Sequence, residues 1–539
     1  MNSRISSSDG GRRARGWAVR GAVAVLAAAA GSAWPAASAH AGPHQLSVVM
    51  EDNLLIYGTD QERTASLASM KSIGVDAVRV SVSWNFLAGP STNTPAERRG
   101  FRGDLPSSYS PLLWNRFDRL LRDADAIGVL VYLNIGGPGP PAFHGFTRDV
   151  HARLAYKPRP FEFFKFVRAV GRRYSGSYVD ENEGRRVLPR VGVWSIWNEP
   201  NQQATLTPQS EYSPLLRRVI PVAPIIYRDL YVAATRALEL SGHARDVVLM
   251  GETAPLGKTV LGPRVHIRPK LFMREFFCIG PGGRPYSGLE ARARRCDVLT
   301  RNAPLMIGGF AHHPYTQRFN PFRRDAHRDS INFGNIGELP ILLDDLAAKT
   351  RAIPRNLPVW LTEAGWQTRP DPIDGIAPVL QADYLNLSDH IAYDQPRIVA
   401  QTQFLLRDVH PRADVRRVPR LYWSTWQSGL LYADGRPKPS LAAYRLPFDL
   451  RRRGPRGPNG AQALDLWGQV RFLPYGRASR VEFQFRPAGS ASWSTAGARE
   501  VTNPQGFYEA QVVASGPGTW RAIWGEGGRF VVSRPILVT

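Results

Sequence analysis

Val191-Gly192-Val193-Trp194-Ser195-Ile196-Trp197 runs straight into Asn198-Glu199-Pro200-Asn201. A short apolar run of this kind, bounded by turn residues, reads as a strand covered on both faces, which is the habit of parallel sheets. Pro200 stops the run and stiffens the turn. A carboxylate placed directly behind such a strand stands at the strand's carboxyl end and not on a solvated helix face.

Outward from this stretch, from about residue 46 to 445, short apolar runs alternate with amphipathic ones. That alternation is the signature of a parallel sheet crossed over by helices. Strands are expected at residues 54–57, 77–82, 129–134, 191–197, 247–251, 305–311, 359–362 and 420–424. Helical patterns fall between them at 62–73, 112–127, 161–174, 226–241 and 340–352. Eight strand and crossover units predict an α/β fold, a (β/α)₈ TIM barrel with long loops. The crossover at 251–305 and the segment at 316–338 both follow a strand, so both rise over the face where such barrels keep their chemistry.

A basic Gly/Pro stretch, Arg451-Arg452-Arg453-Gly454-Pro455-Arg456-Gly457-Pro458-Asn459-Gly460, breaks the alternation and reads as a linker. Beyond it, short alternating runs such as Val481-Glu482-Phe483-Gln484-Phe485 are separated by turn clusters. They predict a small all-β sandwich. The expected organisation is an export signal at 1–41, the barrel at 42–450, a linker at 451–462 and the sandwich at 463–539.

The export signal is read from Arg12, Arg13, Arg15 and Arg20 ahead of an apolar run at 21–33 that is too short to span a bilayer. Small-residue cleavage sites follow at Ala37-Ser38-Ala39 and Ala39-His40-Ala41. A secreted or envelope-associated protein with no stable membrane span is expected. Export implies an oxidising compartment, where Cys278 and Cys296, the chain's two cysteines, can close a disulfide. Two free thiols are the competing reading. Asn386-Leu387-Ser388 fits a glycosylation sequon, a match that is common by chance.

The 539-residue chain carries a formal charge of +24, mostly arginine. Arginine-rich coding accounts for this first, and a surface that meets an anionic polymer is the second reading. Nucleic acid is set aside, because no recognition-helix signature, paired Cys/His metal spacing or aromatic RNA-binding motif occurs. A 43% apolar composition with 21% charged residues excludes a disordered chain.

Two expected strand ends stand out for the carboxylate behind them. One is Glu199; the other is Glu363, in Val359-Trp360-Leu361-Thr362-Glu363-Ala364-Gly365-Trp366. Paired carboxyl groups at one barrel mouth are what glycosidic cleavage requires. With Trp197-Asn198-Glu199-Pro200-Asn201, this pair resembles the retaining glycoside hydrolases of clan A, nearest to glycoside hydrolase family 39 and cellulase-like relatives. The resemblance covers the barrel, about 400 residues, and leaves the carboxy-terminal domain without a specific match.

The resemblance implies that Glu199 is the general acid/base and Glu363 the nucleophile. It implies further that Arg79 and Tyr315 hydrogen-bond the nucleophile, that Asn198 holds the sugar's 2-hydroxyl, and that Trp426 is the platform under the ring. His313, in His313-Pro314-Tyr315, fits the same pattern. Each has a plainer alternative: a buried ion-pair partner for Arg79, a structural histidine for His313, wall packing for Tyr315. Trp423, Trp366 and Trp197 compete with Trp426. Arginine beside Glu363 is expected to favour its ionised form, leaving Glu199 to carry the proton.

Glu252, at the end of the fifth expected strand, departs from the pattern. It can line a subsite, act as an alternative partner or pair with an arginine, the last being the favoured reading. Strand three ends in Asn134-Ile135-Gly136-Gly137 and lacks the histidine found there in some clan A families. No cofactor or metal is implied. The expected partner is a carbohydrate, with a silent carbohydrate-binding barrel or a transglycosylase as the alternatives to hydrolysis.

Overall fold

The computed structural model describes residues 42–539 apart from 93, 151, 153, 458 and 459. The expected export signal at 1–41 lies outside the described residues.

Eight parallel strands close a barrel in sequence order: β1 (Leu46–Met50), β2 (Ala77–Ser83), β3 (Leu130–Gly136), β4 (Val193–Ile196), β5 (Val247–Thr253), β6 (Gly309–His312), β7 (Val359–Ala364) and β8 (Ile398–Phe404). Their inward side chains fill the lower barrel with Leu46, Val48, Tyr132, Val193, Leu249 and Trp360. That leaves the carboxyl ends as the open mouth. A second, larger core lies between strands and helices, built on Phe117, Phe166, Tyr227 and Leu343 among others. The helices begin and end on local rules. Asp60–Ser72, for instance, opens with Thr59 accepting from the backbone N of Glu62 while the Glu62 carboxylate accepts from the N of Thr59.

Two of the eight strands lie elsewhere than the sequence pattern predicts. Residues 54–57 form a π-helical turn (Asn53–Tyr57), and the first strand precedes them at Leu46–Met50. Residues 420–424 belong to a short helix, Pro419–Tyr422, and the turn after it. The eighth strand is Ile398–Phe404, with the helix Pro378–Tyr393 before it. The sequon falls on that helix. Asn386 is fully buried and donates to the carbonyl of Ala443 at 2.9 Å, so its amide is not open to a glycan.

The stretch read as a linker begins inside a strand. Phe448–Arg453 (β9) pairs antiparallel with Gln462–Gln469 (β10), and the irregular turn is confined to the residues between them. The β10 strand pairs in turn with Phe507–Ala514 (β13). The facing sheet has the order β12 (Ser494–Val501), β11 (Ser479–Pro487), β14 (Gly518–Glu526) and β15 (Arg529–Val532). Phe483, Phe485, Trp520 and Trp524 are buried between the two sheets. The sandwich is fastened to the barrel helix Pro378–Tyr393 by His390, stacked on Trp467 at 4.7 Å, and by the buried pair Arg471–Asp389 at 3.2 Å.

Cys278 and Cys296 form a disulfide within the crossover after β5. Among the described residues no helix is long and apolar enough to cross a membrane.

Candidate active site

The barrel mouth gathers Arg79 from β2, Asn198 and Glu199 after β4, Glu252 from β5, His313 and Tyr315 after β6, and Glu363 from β7. Two interruptions of regular strand geometry make this convergence. Between β5 and β6, Gly251 faces Ala311 and Thr253 faces His312, so Glu252 is an extra residue in a bulge. Bulges re-aim side chains and recur beside active sites. The β7–β8 register slips in the same way between Leu361 and Ala364. Thr362 and Glu363 are consecutive, and in a regular strand they would point to opposite faces. Here both hydrogen-bond into the site.

Backbone strain collects at the same residues. Trp197, Glu199 and Glu252 have φ values of 69°, 40° and 48°, a region that bulky side chains avoid unless the surroundings impose it. The Glu199 peptide N is held by the Glu252 carbonyl at 2.9 Å. Just past β3 the chain presses on the same turn, since a Cβ on Gly137 would come within 2.6 Å of the Trp197 ring.

Arg79 is fully buried and donates from Nη1 to Glu363 Oε1 at 2.9 Å, and from Nη2 to Asn198 Oδ1 at 3.0 Å and Glu252 Oε2 at 3.1 Å. Tyr315 donates to the other oxygen of Glu363 at 3.2 Å. His313, also buried, places Nδ1 2.9 Å from Glu199 Oε1 and Nε2 2.7 Å from Glu252 Oε2, with Glu363 Oε2 3.6 Å from Nδ1. Thr362 completes the set by donating to Glu252 at 2.7 Å. The favoured reading of Glu252 as an arginine partner thus describes half its role, since it holds the histidine as well.

Charge follows from this geometry. Burial works against a charged His313, but the carboxylates of Glu363, Glu199 and Glu252 outweigh it and push the imidazole up to about 10. Burial would raise Glu252, yet Arg79 and the His313 hydrogen bond hold it down at about 2. Glu363 behaves differently from the sequence expectation. Burial raises its carboxyl, His313 and Arg79 oppose that only in part, and Glu199 and Glu252 add to the rise, so it sits above the ordinary carboxylate value. One carboxylate is therefore locked as an anion, and the cation between the acids is the histidine.

One oxygen from each of Glu199 and Glu363 and a His313 nitrogen lie within 4.8 Å of one another. Such a trio can suggest a metal, but both ring nitrogens of His313 are engaged with carboxylates, which leaves no lone pair for an ion. The histidine is instead a bridge between Glu199 and the buried Glu252.

Above it opens a cleft of about 610 Å³, lined by Asn198, Glu199, Tyr315, Glu363 and Trp426 among others. Of the four competing tryptophans, Trp426 alone lines the cleft. Trp197 and Trp366 are buried, donating to Thr205 O and Thr316 Oγ1. Trp423 borders a separate groove. Met50 and Phe404, at the ends of β1 and β8, also line the cleft. Reading those two strands correctly would have found them, whereas Gln202 and Arg318 carry no sequence signal.

No protein-family model matches the sequence, and no curated protein matches it. Among solved structures the chain is similar to the exo-β-1,4-mannosidase Op5Man5 from Opitutaceae bacterium strain TAV5, at 13% identity and a TM-score of 0.42 over 74% of this chain and 58% of that one. It thus spans less than two thirds of the mannosidase. It is also similar to GH5_18 from Streptomyces cattleya, solved in complex with GlcNAc (16%, 0.43, 74% and 78%), and to the virulence factor SghA from Agrobacterium tumefaciens (13%, 0.40, 72% and 92%). At these TM-scores the likenesses carry no weight for mechanism, which stands on the site itself.

Proposed function

We propose that this chain is an exported retaining glycosidase of the clan A type. The observation that carries the reading is the placement of two unlike carboxyl groups at one cleft. Retaining cleavage uses carboxyl groups about 5 to 5.5 Å apart and inverting cleavage about 6.5 to 9.5 Å. The closest oxygens of Glu199 and Glu363 fall within 4.8 Å, which supports the former.

Glu363, oriented by Arg79 and Tyr315, attacks the anomeric carbon as the bond to the leaving oxygen breaks. Glu199, whose side chain is 24% exposed beside Glu363 at 10%, gives that oxygen its proton. In the second step Glu199 takes a proton from water, and the oxygen of that water displaces Glu363 from the glycosyl-enzyme. Trp426 offers the aromatic face on which a pyranose packs, and the Asn198 amide reaches the cleft where the 2-hydroxyl sits. The disulfide supports an oxidising compartment, in keeping with the signal read at 1–41.

The test is sugar release from aryl glycosides and polysaccharides, with NMR of the first-formed anomer. The expected result is retention, abolished by Glu363→Ala. In Glu199→Ala, release should be slowed far more for poor leaving groups than for activated aryl ones. An inverted first product, or release that survives Glu363→Ala, overturns the reading.

A further inference from the structure

The loops that follow β7 and β8 enclose two hollows. One is the cleft, to which they contribute Gln367, Asp374, Trp426 and Ser428. The other is a groove of about 550 Å³, lined by Arg369, Asp408, His410, Trp423, Gln427 and Tyr432 among others. The partition between the two is thin. Trp426 lines the cleft and Gln427, its neighbour in the chain, lines the groove, while on the facing loop Gln367 lines the cleft and Arg369 the groove. The loops are laced together along that line. Gln427 N donates to Gln367 Oε1, Gln367 Nε2 to Thr425 O at 3.3 Å, and Thr368 N to Gln427 O at 3.1 Å. Trp423 and Trp426 are three positions apart, which keeps their Cα atoms within about 11 Å. A chain that leaves the cleft across Trp426 has the groove directly beside it.

The groove is built from rings and from hydrogen-bonding groups that its own walls do not use. Trp423 is partly exposed and meets the Tyr422 ring edge-on at 5.0 Å. Tyr432 is partly exposed, with the Nζ of the buried Lys438 5.3 Å from its ring centroid. That ammonium is fixed in turn by Asp408, Thr368 and the carbonyl of Gln427. Neither Trp423 Nε1 nor the Tyr432 hydroxyl has a hydrogen-bond partner among the described residues. Gln427 is 1% exposed, and its Nε2 donates to Val409 O at 3.1 Å and Thr425 Oγ1 at 2.8 Å. Its Oε1 is left buried without a partner among the described residues, an unmet acceptor of the kind that needs a reason. Both carboxylates in the wall are already paired, Asp408 with Lys438 at 2.7 Å and Asp434 with Arg436 at 2.8 Å. Recognition therefore falls to the aromatic faces and the open donors and acceptors, a combination that suits hydroxyl-bearing rings.

We propose that this groove is a second saccharide subsite, continuous with the cleft, and that Trp423 is its platform. The proposal rests on the glycosidase reading and names the substrate class for it, an oligo- or polysaccharide chain that lies across both hollows. Each hollow by itself falls within the roughly 300 to 1,000 Å³ that holds one small ligand, so a single pyranose does not engage both.

The test is calorimetry on the full chain carrying Glu363→Ala. The probes are β-1,4-linked mannose, glucose and xylose oligosaccharides, each as disaccharide and hexasaccharide. In at least one series the hexasaccharide should bind about tenfold more tightly than the disaccharide. Adding Trp423→Ala should remove that advantage and leave the disaccharide unchanged, and Trp423→Phe should keep part of it. With Glu363 intact, Trp423→Ala should turn over an aryl monoglycoside at the parent rate. No gain with length in any series, or a gain that survives Trp423→Ala, overturns the inference. So does an equal loss for disaccharide and hexasaccharide, which would place Trp423 in support of the cleft. Release from aryl glycosides with no length effect removes the inference and leaves the glycosidase reading intact. A length effect that depends on Trp423, with no release from that oligosaccharide by the unsubstituted chain, removes the glycosidase reading instead.

Discussion

The Nε2 of His313 donates to Oε2 of Glu252 across 2.7 Å, and both side chains are fully buried. The same carboxylate oxygen receives Arg79, so one buried anion holds two cations that both reach Glu363. Glu252 touches no point in the cleft lining and acts through its neighbours, as a positioning residue.

Glu252→Gln keeps the volume and removes the charge. Without that anion one of the three carboxyl groups that hold the His313 imidazole up is gone, so its value falls from about 10 and the charge bridging Glu199 to the buried hub weakens. We expect kcat to fall by about 100-fold, the scale on which positioned acid–base groups act, with KM changed much less. The check is a pH profile of both constants alongside circular dichroism to confirm folding. A profile parallel to the parent's, merely scaled down, would refute the positioning role.

The pH dependence of the parent follows from Glu363. Its carboxyl is raised in the folded chain, chiefly by burial, and as the proposed nucleophile it has to be ionised. Activity is therefore lost as pH falls through a value above that of an ordinary glutamate, and the acid limb of kcat/KM should lie there. Arg79→Lys removes the two-pronged hold on Glu363 and Glu252, and should move that limb further up. A limb at or below the ordinary carboxylate value in the parent would contradict the buried placement.

Much of this arrangement can be read in the sequence, and the parts that cannot share a cause. The β2 to β7 strands announce themselves because apolar residues dominate them, on alternate positions in β2. The β8 strand hides because Gln401, Thr402 and Gln403 interrupt it. These polar residues are nonetheless buried, satisfied by partners such as Ser388 Oγ and the carbonyl of Ser428, which no hydropathy pattern reveals. The first strand was displaced by an equally apolar turn at 54–57. Glu199 and Glu363 were legible from position alone, directly behind apolar runs. Glu252 was visible as a carboxylate but not as the hub of the site, since its direction depends on a bulge set by pairing with a strand some sixty residues away.

Trp426 is 53% exposed, lines the cleft and is braced by Phe404 in an edge-to-face contact at 5.5 Å. Trp426→Ala should raise KM about tenfold, equivalent to about 1.4 kcal/mol of binding, with Trp426→Phe recovering part of it. Steady-state kinetics on an aryl glycoside would show this. An unchanged KM in the alanine variant would move the platform to another part of the wall.

The Cys278–Cys296 bond lies outside the site and should affect stability without affecting chemistry. It closes a segment of 18 residues, for which loop-closure entropy gives about 3 kcal/mol. The same turn is tied by Arg228, which donates to the carbonyls of Glu275, Phe276 and Arg294 and is fully buried. That second tie should keep the crossover folded when the disulfide is opened. Cys296→Ser, or reductant on the parent, should therefore lower Tm while leaving kcat at the parent value at ambient temperature. A melting curve indifferent to reductant would show that the covalent link adds nothing to what Arg228 already holds. A loss of kcat would show instead that the crossover reaches the site, through the segment that runs from Pro255 back to Phe276.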